Sequence, residues 1–582
     1  MDYRDIYNEW LNSDALTDCE KKELTDIKND DNAIKERFAA ALAFGTAGMR
    51  GILGAGTNRM NVHTVARATF GLAEYIKERG PKDMERGVVI SYDTRHMSPE
   101  FAIVCAEVLN DCGITAYIFE NVRPVPFCSF AVRRLNAVAG IMITASHNPK
   151  IYNGYKVYGE DGAQMSPEDT AVVVKHIESL DAYFKPYKKT GLAPEDIKNK
   201  DGANFQKVKV IGKTLDEEYF EAVQKLMLSP EAVAYAKNKI KIVYTPIHGS
   251  GCMPVTEMLK RMDIPFVTVP EQVIPDPDFP TVRVPNPEES DALTMAVALA
   301  DKIGGNVVIG TDPDCDRMGV AVRDNDGKLV LLNGNQTGVL LMDYILSRNY
   351  QKGTLPSNSA VVKTIVTTKL ADKVAETYNT AVFDVLTGFK YIGEKIKEWE
   401  ATGEYTYMFG FEESYGSLCG THARDKDAVV ASMLFAEMAC YLESSGSSVF
   451  NRLCGLYAKY GYYLERAFSF AFNGLDGMEK MAALMSRVTA LRPTSVAGDK
   501  VLYISDYNAG VTYFSDGGTD EITLPKTNAV YYGLENDGWL CIRPSGTEPK
   551  LKIYLAAAES SRACAESKLD LIKSEIIKLF NL

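Results

Sequence analysis

The sequence lacks the features of a membrane protein and of a nucleic-acid-binding protein. No uninterrupted apolar run reaches the roughly 18 residues of a membrane-spanning helix, and the charged start, residues 1–5, contains no apolar signal core. The net charge is -13 at pH 7, whereas nucleic acid and anionic membranes both require a basic face. We therefore predict a cytoplasmic protein with neither nucleic acid nor a membrane as partner.

The sequence also lacks paired cysteines. Eleven cysteines are scattered along the chain without a Cys-x-x-Cys pair, and Cys105, Cys128 and Cys440 lie within apolar segments. A thiol in such a segment usually packs as a small hydrophobic side chain. We predict reduced core residues, against the alternatives of disulfides or a zinc site.

The size of the chain predicts several domains. A mass of 64.2 kDa exceeds what one hydrophobic core usually supports, so about three to five domains are expected. Because 46% of the residues are hydrophobic and 24% are charged, the composition indicates folded globular domains rather than disorder.

Strand-like runs alternate with helical stretches, which is typical of parallel sheets with helices on their faces. The run 88–92 predicts a strand, and Ser98 with Pro99 predicts a capped helix start. That helix should end at Gly113, and the next strand follows at 115–119.

The same succession recurs twice. It gives a strand at 241–244, a capped helix from near Ser290 to near Gly304 and a strand at 306–309, and it starts again at 360–362. Each of the three units ends in a polar loop, which hints at triplication. In such sheets, ligands gather at the carboxyl ends of the strands.

The last part of the chain has a different pattern. A strand at 539–542 and another at 551–554 bracket a polar loop, and a terminal helix is predicted from about Ser560.

One polar loop contains three alternating aspartates that could bind a cation. On an extended backbone, Asp312, Asp314 and Asp316 would share one face and repel each other without a cation. An EF-hand is excluded, because Arg317 and Arg323 take the places of its glycine and glutamate. We predict an octahedral Mg²⁺ site with room for a phosphate oxygen; the alternative is a solvated acidic turn.

A serine loop follows the apolar run 140–143. Small, turn-forming neighbours in the segment 144–149 would leave the hydroxyl of Ser146 exposed, and His147 and Asn148 could donate hydrogen bonds to a phosphate. A serine can accept and return a phosphoryl group only where the charge on that group is neutralised. Together with the aspartates, Ser146 suggests metal-assisted phosphoryl transfer, although a serine that merely caps a turn is the alternative.

Two further loops carry recognition groups. The segment 543–550 concentrates cationic and neutral donors around a glycine that lets backbone amides approach an anion, which predicts a phosphate clamp rather than a simple polar turn. Glu412, Glu413 and Ser414 lie between Gly410 and Gly416, and such carboxylates and hydroxyls can bind neighbouring sugar hydroxyls. Taken alone, this second loop could equally face water.

Along the chain the order is the serine loop, the aspartate loop, the Glu-Glu-Ser loop and the clamp loop. In that order the four loops resemble the motifs of the α-D-phosphohexomutase superfamily, particularly its phosphoglucomutase and phosphomannomutase branch, over nearly the whole chain. The segments 44–51 and 387–390 are similar to further family segments. The resemblance implies an α/β fold with four domains around a central cleft. The first three would be mixed α/β sheet units of similar topology and the fourth a smaller α+β domain, at 1–203, 204–322, 323–454 and 455–582.

The resemblance also implies roles for individual residues. Ser146 would be a phosphoserine that holds one Mg²⁺ together with the three aspartates, and Glu412 and Ser414 would hold the sugar hydroxyls. Lys156 would be the candidate general acid or base, provided that burial beside Arg50 or the metal lowers its pKa. The other catalytic residues implied are Arg50, His147, Arg317 and Lys390, and the residues implied for the non-reacting phosphate are Arg543, Ser545, Gly546, Thr547 and Lys550.

Three residues depart from the family pattern: Lys150 after the serine motif, Cys315 between two aspartates and Phe411 before Glu412. None removes a functional atom. They place the chain in the longer branch of the family, which also includes enzymes that act on phosphopentoses.

The implied function is an intramolecular phosphotransferase, acting as a monomer or dimer. It would interconvert α-D-glucose 1-phosphate and glucose 6-phosphate, and mannose phosphates as well, through a hexose 1,6-bisphosphate that also serves as activator. The alternatives are a phosphopentomutase acting on ribose or deoxyribose 1-phosphate, a phosphatase with Asp312 or Asp314 as nucleophile, and a non-catalytic sugar-phosphate sensor.

Overall fold

The structure is a computed structural model that describes residues 2–45, 48–180, 182–472, 477–544 and 550–580. The chain divides into two compact units. The first comprises Met1–Gly334, Ile392–Gly410 and Ser414–Gly446, and the second comprises Asn335–Tyr391, Phe411–Glu413 and Ser447–Leu582.

The chain begins with a module of three short helices, followed by a sheet of seven strands. The strand order of this sheet is β1-β5-β4-β2-β3-β7-β6. The elements are α1 (Tyr3–Leu11), α2 (Asp18–Asp26), α3 (Asp31–Phe38), β1 (Met49–Ile52), α4 (Val62–Glu78), α5 (Pro81–Arg86), β2 (Val88–Tyr92), α6 (Ser98–Asp111), β3 (Ala116–Phe119), α7 (Val125–Arg134), β4 (Ala139–Ile143), β5 (Tyr152–Gly159), α8 (Pro167–Glu178), α9 (Pro194–Ile197), β6 (Asn204–Phe205) and β7 (Val208–Ile211).

A second sheet has five strands in the order β12-β11-β10-β8-β9. A 3₁₀ helix at Ser290–Leu293 precedes α13. The elements are α10 (Lys213–Gln224), α11 (Pro230–Ala236), β8 (Ile242–Thr245), α12 (Cys252–Arg261), β9 (Phe266–Thr268), α13 (Thr294–Ile303), β10 (Val307–Thr311), β11 (Met318–Arg323) and β12 (Leu329–Leu332).

The next part alternates helices with short strands, and β13 pairs with β14 in parallel. Its elements are α14 (Gly334–Lys352), β13 (Ser359–Thr364), α15 (Leu370–Thr377), β14 (Ala381–Val385), α16 (Lys390–Thr402), β15 (Thr406–Phe411), β16 (Ser417–Cys419), α17 (Ala428–Ser444) and α18 (Val449–Tyr460).

The C-terminal part is built on a largely antiparallel sheet whose strands follow the order β17-β24-β23-β22-β19-β20-β21, with β18 paired to β19. Helices α19 and α20 cover its buried core. The elements are β17 (Tyr462–Ala471), α19 (Gly477–Ala490), β18 (Ser495–Val496), β19 (Asp499–Asp506), β20 (Val511–Phe514), β21 (Thr519–Glu521), β22 (Val530–Leu534), a 3₁₀ helix (Glu535–Asp537), β23 (Trp539–Pro544), β24 (Lys550–Glu559) and α20 (Arg562–Phe580).

The predicted strands are present with bounds shifted by at most two residues, except that the strand predicted at 551–554 extends over Lys550–Glu559. The prediction of parallel pairing is correct for β2 with β3 and β4, and for β8 with β9 and β10. Each sheet also contains antiparallel pairs, β4 with β5 and β10 with β11, which the sequence pattern did not predict. The connection in each pair is too short for a crossover, and a short connection favours an antiparallel neighbour.

The predicted role of Ser98 as a helix cap is wrong. Ser98 is already the first residue of α6, behind Met97 in a left-handed conformation. Its hydroxyl donates to Asp93 and accepts from Asn153, both at 2.9 Å. A tertiary network has therefore taken the side chain that a local cap would have used.

The cysteines differ in burial, and Cys19 and Cys564 are exposed rather than in the core. All eleven cysteines are free, and Cys105, Cys128 and Cys440 are buried. In the part of the chain that the structure describes, no single helix is long and apolar enough to cross a membrane; α17 and α18 together would meet the test of length and composition, but nearly all of α17 is buried.

Candidate active site

The four motif loops share one structural feature: each connects two consecutive strands. The serine loop lies between β4 and β5, the aspartate loop between β10 and β11, the Glu-Glu-Ser loop between β15 and β16, and the clamp loop between β23 and β24. A buried strand ending in a short connection holds the next few side chains at the sheet edge, where a ligand can reach them.

Ser146 is held in a strained conformation. Its φ is 52°, a left-handed value that costs free energy for a residue other than glycine. Its amide donates to the hydroxyl of Thr144 at 2.8 Å, and its carbonyl accepts from the buried guanidinium of Arg95 at 2.5 Å. These bonds fix the loop, so that the Ser146 hydroxyl donates to Asp312 Oδ2 at 2.8 Å.

The aspartate loop brings three buried carboxylates together. One oxygen of each of Asp312, Asp314 and Asp316 lies within 4.8 Å of the others, and all three residues are at most 2% exposed. The backbone is not extended as predicted. It turns at 313–314, and Cys315 adopts a φ of 50°, so a turn rather than strand alternation makes the carboxylates converge.

This cluster fits a hard divalent cation. Asp314 Oδ1 and Asp316 Oδ1 are buried and accept no hydrogen bond, which leaves two anionic oxygens open to a ligand. Burial and the neighbouring carboxylates raise the pKa of Asp312 well above its ordinary value. Such repulsion is what a bound dication relieves, and carboxylate oxygens are the ligands that Mg²⁺ prefers.

Two buried lysines partly neutralise the aspartates. Lys156 Nζ lies 2.9 Å from Asp314 Oδ2 and 3.6 Å from Asp316 Oδ2, and Lys426 Nζ lies 3.2 Å from Asp316 Oδ2. Burial acts to raise the pKa of Asp314, but the charge and hydrogen bond of Lys156, a hydrogen bond with Asp312 and the charge of Lys426 together hold that pKa below the ordinary value.

A role for Lys156 as a general base depends on a lowered pKa. Burial acts to lower that pKa, yet the facing carboxylates of Asp314 and Asp316 outweigh burial and raise it. Lys156 is therefore an ammonium group, suited to neutralising charge or donating a proton.

Further predicted residues surround the serine. Arg50 Nη1 donates to Asn148 Oδ1 at 2.9 Å, and His147 Nδ1 lies 3.2 Å from Ser146 Oγ. Burial, together with the charges of Arg317 and Arg50, lowers the pKa of His147 well below its ordinary value, so that the imidazole is neutral at pH 7.

Arg317 links the aspartate loop to the backbone of the Glu-Glu-Ser loop. Its guanidinium donates to the Ser414 carbonyl at 3.1 Å and pairs with Glu288, while Nε lies 3.6 Å from Asp316 Oδ1. Residue 317 also forms an antiparallel bridge with Gly416. The first unit therefore contains the serine, the aspartates, Arg50, Lys156, Arg317 and Ser414.

The second unit holds a separate group of predicted residues. Glu412 is 7% exposed and accepts from the Gly388 amide at 2.9 Å. Arg543 donates to the hydroxyl of Thr387, the residue before Gly388. Glu412 and Arg543 thus both contact the short segment 387–388.

The remaining predicted residues are Lys390, Lys550 and three clamp residues. Lys390 begins α16 and its ammonium lies 4.7 Å from the ring centre of Tyr391, whereas Lys550 begins β24. Ser545, Gly546 and Thr547 lie outside the described residues.

Sequence reasoning missed two supporting groups. Asp93 and Arg95 are buried under the serine loop, and Asp93 Oδ2 accepts from Thr144 at 2.6 Å. Both follow β2, so their position after a parallel strand was a usable signal. Asp425 and Lys426 form the other group. They occur in a run of alternating charges before the apolar helix α17, and Lys426 joins Asp425 Oδ1 at 3.0 Å.

Comparison with known proteins places these features in one family. Four consecutive family models match, described as phosphoglucomutase/phosphomannomutase alpha/beta/alpha domain I at 41–184, domain II at 217–327, domain III at 333–460 and the C-terminal domain at 510–573. They confirm the resemblance and the predicted four-domain α/β fold class. The exact boundaries predicted for the four domains, and their arrangement around a cleft, stay predictions.

Individual relatives agree with these matches. A phosphoglucomutase of Staphylococcus epidermidis is 37% identical over 553 residues, which cover 94% of this chain and 96% of the relative. One of Staphylococcus aureus is 36% identical over 528 residues, with 90% of each chain covered.

A solved structure shares the fold. The exocytosis-sensitive phosphoprotein pp63/parafusin of Paramecium, a phosphoglucomutase, superposes with a TM-score of 0.67 at 16% identity, covering 94% of this chain and 95% of the other. At that identity the likeness supports the fold alone.

Proposed function

This chain belongs to the phosphoglucomutase/phosphomannomutase family, and on that premise we propose that it interconverts α-D-glucose 1-phosphate and glucose 6-phosphate. Mannose phosphates are proposed as further substrates. The reaction proceeds through phosphorylated Ser146 and a hexose 1,6-bisphosphate intermediate, which also serves as activator. A cytoplasmic location and a monomeric or dimeric state stay predictions.

One observation carries the proposal. Ser146 Oγ donates to Asp312 Oδ2 at 2.8 Å, and Asp312 belongs to a buried cluster of three carboxylates with open acceptor oxygens. A hydroxyl next to a cation-binding cluster suits a phosphoryl acceptor, because a phosphate on that oxygen would lie beside the cation that neutralises it.

In this proposal Asp312, Asp314, Asp316 and an oxygen of the modified serine hold one Mg²⁺. When bound, Mg²⁺ supplies charge neutralisation for the phosphoryl oxygens. The protein adds its own cations: Lys156 lies at 2.9 Å from Asp314, and Arg50 and Arg317 lie beside the serine and aspartate loops.

The remaining roles concern recognition. We assign Glu412 and Ser414 to the sugar hydroxyls, and Arg543, Ser545, Gly546, Thr547 and Lys550 to the phosphate that does not react. Support comes from Glu412, whose Oε1 accepts a hydrogen bond from the Gly388 amide at 2.9 Å. Glu412 forms no ion pair with a described residue, so its negative charge can act on a ligand. Lys390 is proposed to act near the reacting phosphoryl group.

The proposed reaction conserves phosphate. The phosphoryl group of phosphorylated Ser146 passes to O6 of glucose 1-phosphate, whose hydroxyl loses its proton. The bisphosphate then reorients in the site, and its 1-phosphoryl group passes to Ser146 Oγ. This second transfer releases glucose 6-phosphate. Each transfer breaks one P–O bond and forms another. His147 Nδ1, 3.2 Å from Ser146 Oγ, and Lys156 are the groups proposed to move the protons.

Phosphorus NMR tests the proposal directly. Wild-type protein supplied with glucose 1-phosphate, Mg²⁺ and a trace of glucose 1,6-bisphosphate should form glucose 6-phosphate, and Ser146→Ala should not. Ser179→Ala, which removes an exposed hydroxyl at the end of α8, is the matched control and should retain activity.

The rival functions give different outcomes in the same experiment. Inorganic phosphate released by both wild type and Ser146→Ala would establish a phosphatase with an aspartate nucleophile. Calorimetric binding of glucose 1-phosphate without isomer exchange would establish a sensor. Either result would overturn the proposal.

Sugar preference requires a separate measurement. Ratios of kcat/KM for glucose 1-phosphate, mannose 1-phosphate and ribose 1-phosphate report differential transition-state binding. We expect the two hexose phosphates to exceed the pentose phosphate. A higher value for ribose 1-phosphate would replace the hexose assignment with phosphopentomutase activity.

A further inference from the structure

A cavity away from the proposed catalytic residues lies beside α4. Its volume is about 330 Å³, and it is bounded by α4, by the turn after α1 and by the segment 183–189. This volume falls within the range of small-ligand pockets. None of the residues assigned above to the reaction lines it.

The lining of this cavity is cationic in a protein whose net charge is -13. Arg67, Lys185 and Lys189 line it, and Asp14 is the one carboxylate among the described lining residues. In the described part of the chain, Arg67 donates to the carbonyls of Ile177 and Ala182, and none of the three cations forms an ion pair. Their charge is therefore available to an anionic ligand.

Aromatic side chains form the rest of the lining. Phe70, Tyr183, Phe184 and Tyr187 all contribute, and the Lys185 ammonium lies 4.3 Å from the ring centre of Phe70. The Arg67 guanidinium lies 5.2 Å from the ring centre of Tyr183. Aromatic faces next to cations suit a ligand with both a flat ring system and an anionic group.

The cavity wall is held by partly buried hydrogen bonds before any ligand binds. Glu107 on α6 accepts from the amide and hydroxyl of Thr190 and from the amide of Gly191, at 2.8, 2.9 and 3.1 Å. These bonds anchor the chain directly after Lys189. A preformed wall lowers the ordering cost of binding.

The opposite wall comes from the N-terminal module. Asp14 and Ala15 lie between α1 and α2, whereas the first family model begins at residue 41. Tyr183 and Phe184 pack against the apolar cluster of that module. The cavity is thus a composite of the family domain and of two segments, 14–15 and 185–189, that lie outside the family models.

We propose that this cavity is a binding site for a nucleoside phosphate, with the base among the aromatic side chains and the phosphates on Lys185, Lys189 and Arg67. The proposal is independent of the mutase function, because it rests on none of the catalytic residues.

Isothermal titration calorimetry with ADP tests the proposal on the full chain. Lys185→Ala/Lys189→Ala should weaken ADP binding by about tenfold or more, because charge-assisted hydrogen bonds are lost. Lys188→Ala is the matched control, since Lys188 is exposed on the same segment but does not line the cavity, and its affinity should stay within about twofold of wild type. Unchanged circular dichroism would verify the fold of each variant.

Two further titrations distinguish this site from the catalytic site and from general anion binding. Asp314→Asn should bind ADP like wild type; loss of binding in that variant would place ADP in the catalytic site and overturn the proposal. Pyrophosphate should bind at least about tenfold more weakly than ADP, since it cannot stack. If pyrophosphate bound as tightly as ADP, or if Lys188→Ala weakened ADP binding as much as Lys185→Ala/Lys189→Ala, the site would attract anions in general. Either result would overturn the nucleoside assignment.

Discussion

A buried carboxylate in the first unit and a partly buried one in the second have their charge compensated in different ways. Asp314 in the first unit pairs with Lys156 at 2.9 Å, and Lys156, a hydrogen bond with Asp312 and the charge of Lys426 together hold its pKa low against the effect of burial. Glu465 in the second unit accepts from the amide of Asn335 at 3.0 Å, and burial raises its pKa to about 7. Burial alone therefore drives a carboxyl group toward its neutral form, whereas an adjacent ammonium keeps it ionised.

The same contrast separates the proposed reaction groups from the recognition groups. The aspartates are surrounded by lysine and arginine side chains, as phosphoryl transfer requires. Glu412 is held by the neutral amide of Gly388, which leaves its charge to polarise ligand hydroxyls. The predictions below test how much depends on this difference.

The largest effect is expected for Asp312→Asn. Turnover should fall on the order of 10³-fold, because one group that positions charge at the reacting centre loses that charge. The thermal midpoint in metal-free buffer should rise, since the repulsion that raises the pKa of Asp312 disappears. Coupled turnover assays and calorimetry check both effects. Asp326→Asn, at an exposed turn, is the control and should change neither turnover nor the thermal midpoint. A fall in both turnover and thermal midpoint for Asp312→Asn would contradict the electrostatic explanation.

The next effect concerns Lys426. Lys426→Met should destabilise the first unit by about 3 kcal/mol, because Asp316 and Asp425 lose a buried ammonium at 3.2 and 3.0 Å. Thermal unfolding at low ionic strength measures the change. The double variant Lys426→Met/Asp425→Asn should recover part of the loss, and no recovery would argue that packing rather than charge is responsible.

A smaller effect is expected for Arg543→Ala. If Arg543 binds the non-reacting phosphate, KM for glucose 1-phosphate should rise about 10- to 100-fold, because one charge-assisted contact contributes roughly 1.5–3 kcal/mol. The value of kcat should change much less than in Asp312→Asn. Steady-state kinetics measure both constants. Thr387→Val removes the hydroxyl that Arg543 contacts and should raise KM by a smaller factor. A fall in kcat without a rise in KM would indicate instead that Arg543 acts on the reacting phosphoryl group.

The smallest effect is the pH dependence of Glu465. Its pKa is about 7 in the folded protein against an ordinary value of 4.5. The folded state therefore binds the proton more tightly, and its stabilising contribution is present below pH 4.5 and is lost as pH rises through 7. The loss should be about 1–2 kcal/mol, less than the pKa difference alone suggests, because the residue is only partly buried.

Glu465→Gln should remove this dependence. Thermal midpoints measured from pH 4.5 to 8 should decline less steeply for Glu465→Gln than for wild type, and Glu521→Gln, at an exposed strand, should follow wild type. Parallel curves for all three proteins would exclude Glu465 as a titrating group in this range.

Much of the fold could be read from local patterns. Apolar β runs such as 88–92 and glycine stops such as Gly113 act over a few residues, and the structure places a strand and a left-handed stop there. Ser98 was misread because its hydroxyl bonds to Asp93, five residues earlier, and to Asn153, 55 residues later in the sequence. Local reasoning cannot detect such a competing partner.

The candidate site shows the same limit. The carboxylates of the aspartate loop were recognisable by residue type, but their convergence depends on a turn with Cys315 in a left-handed conformation. Burial acts to lower the pKa of Lys156, as a general base would require, but Asp314 and Asp316 lie 2.9 and 3.6 Å from its ammonium and raise that pKa. Which charges face a lysine is a property of the packed molecule.

The sequence by itself determined the chemical inventory: a serine loop, three aspartates, a Glu-Glu-Ser loop and a cationic loop, each behind a strand. Residue type and short-range patterning suffice for that, since they depend on neighbours in the chain. Only the tertiary structure decided that Arg95 donates to the Ser146 carbonyl, that Lys156 and Lys426 compensate the aspartates, and that Lys185 and Lys189 meet α4 at a cavity. These outcomes depend on distances between residues far apart in sequence, and electrostatic free energy varies with such distances and with burial.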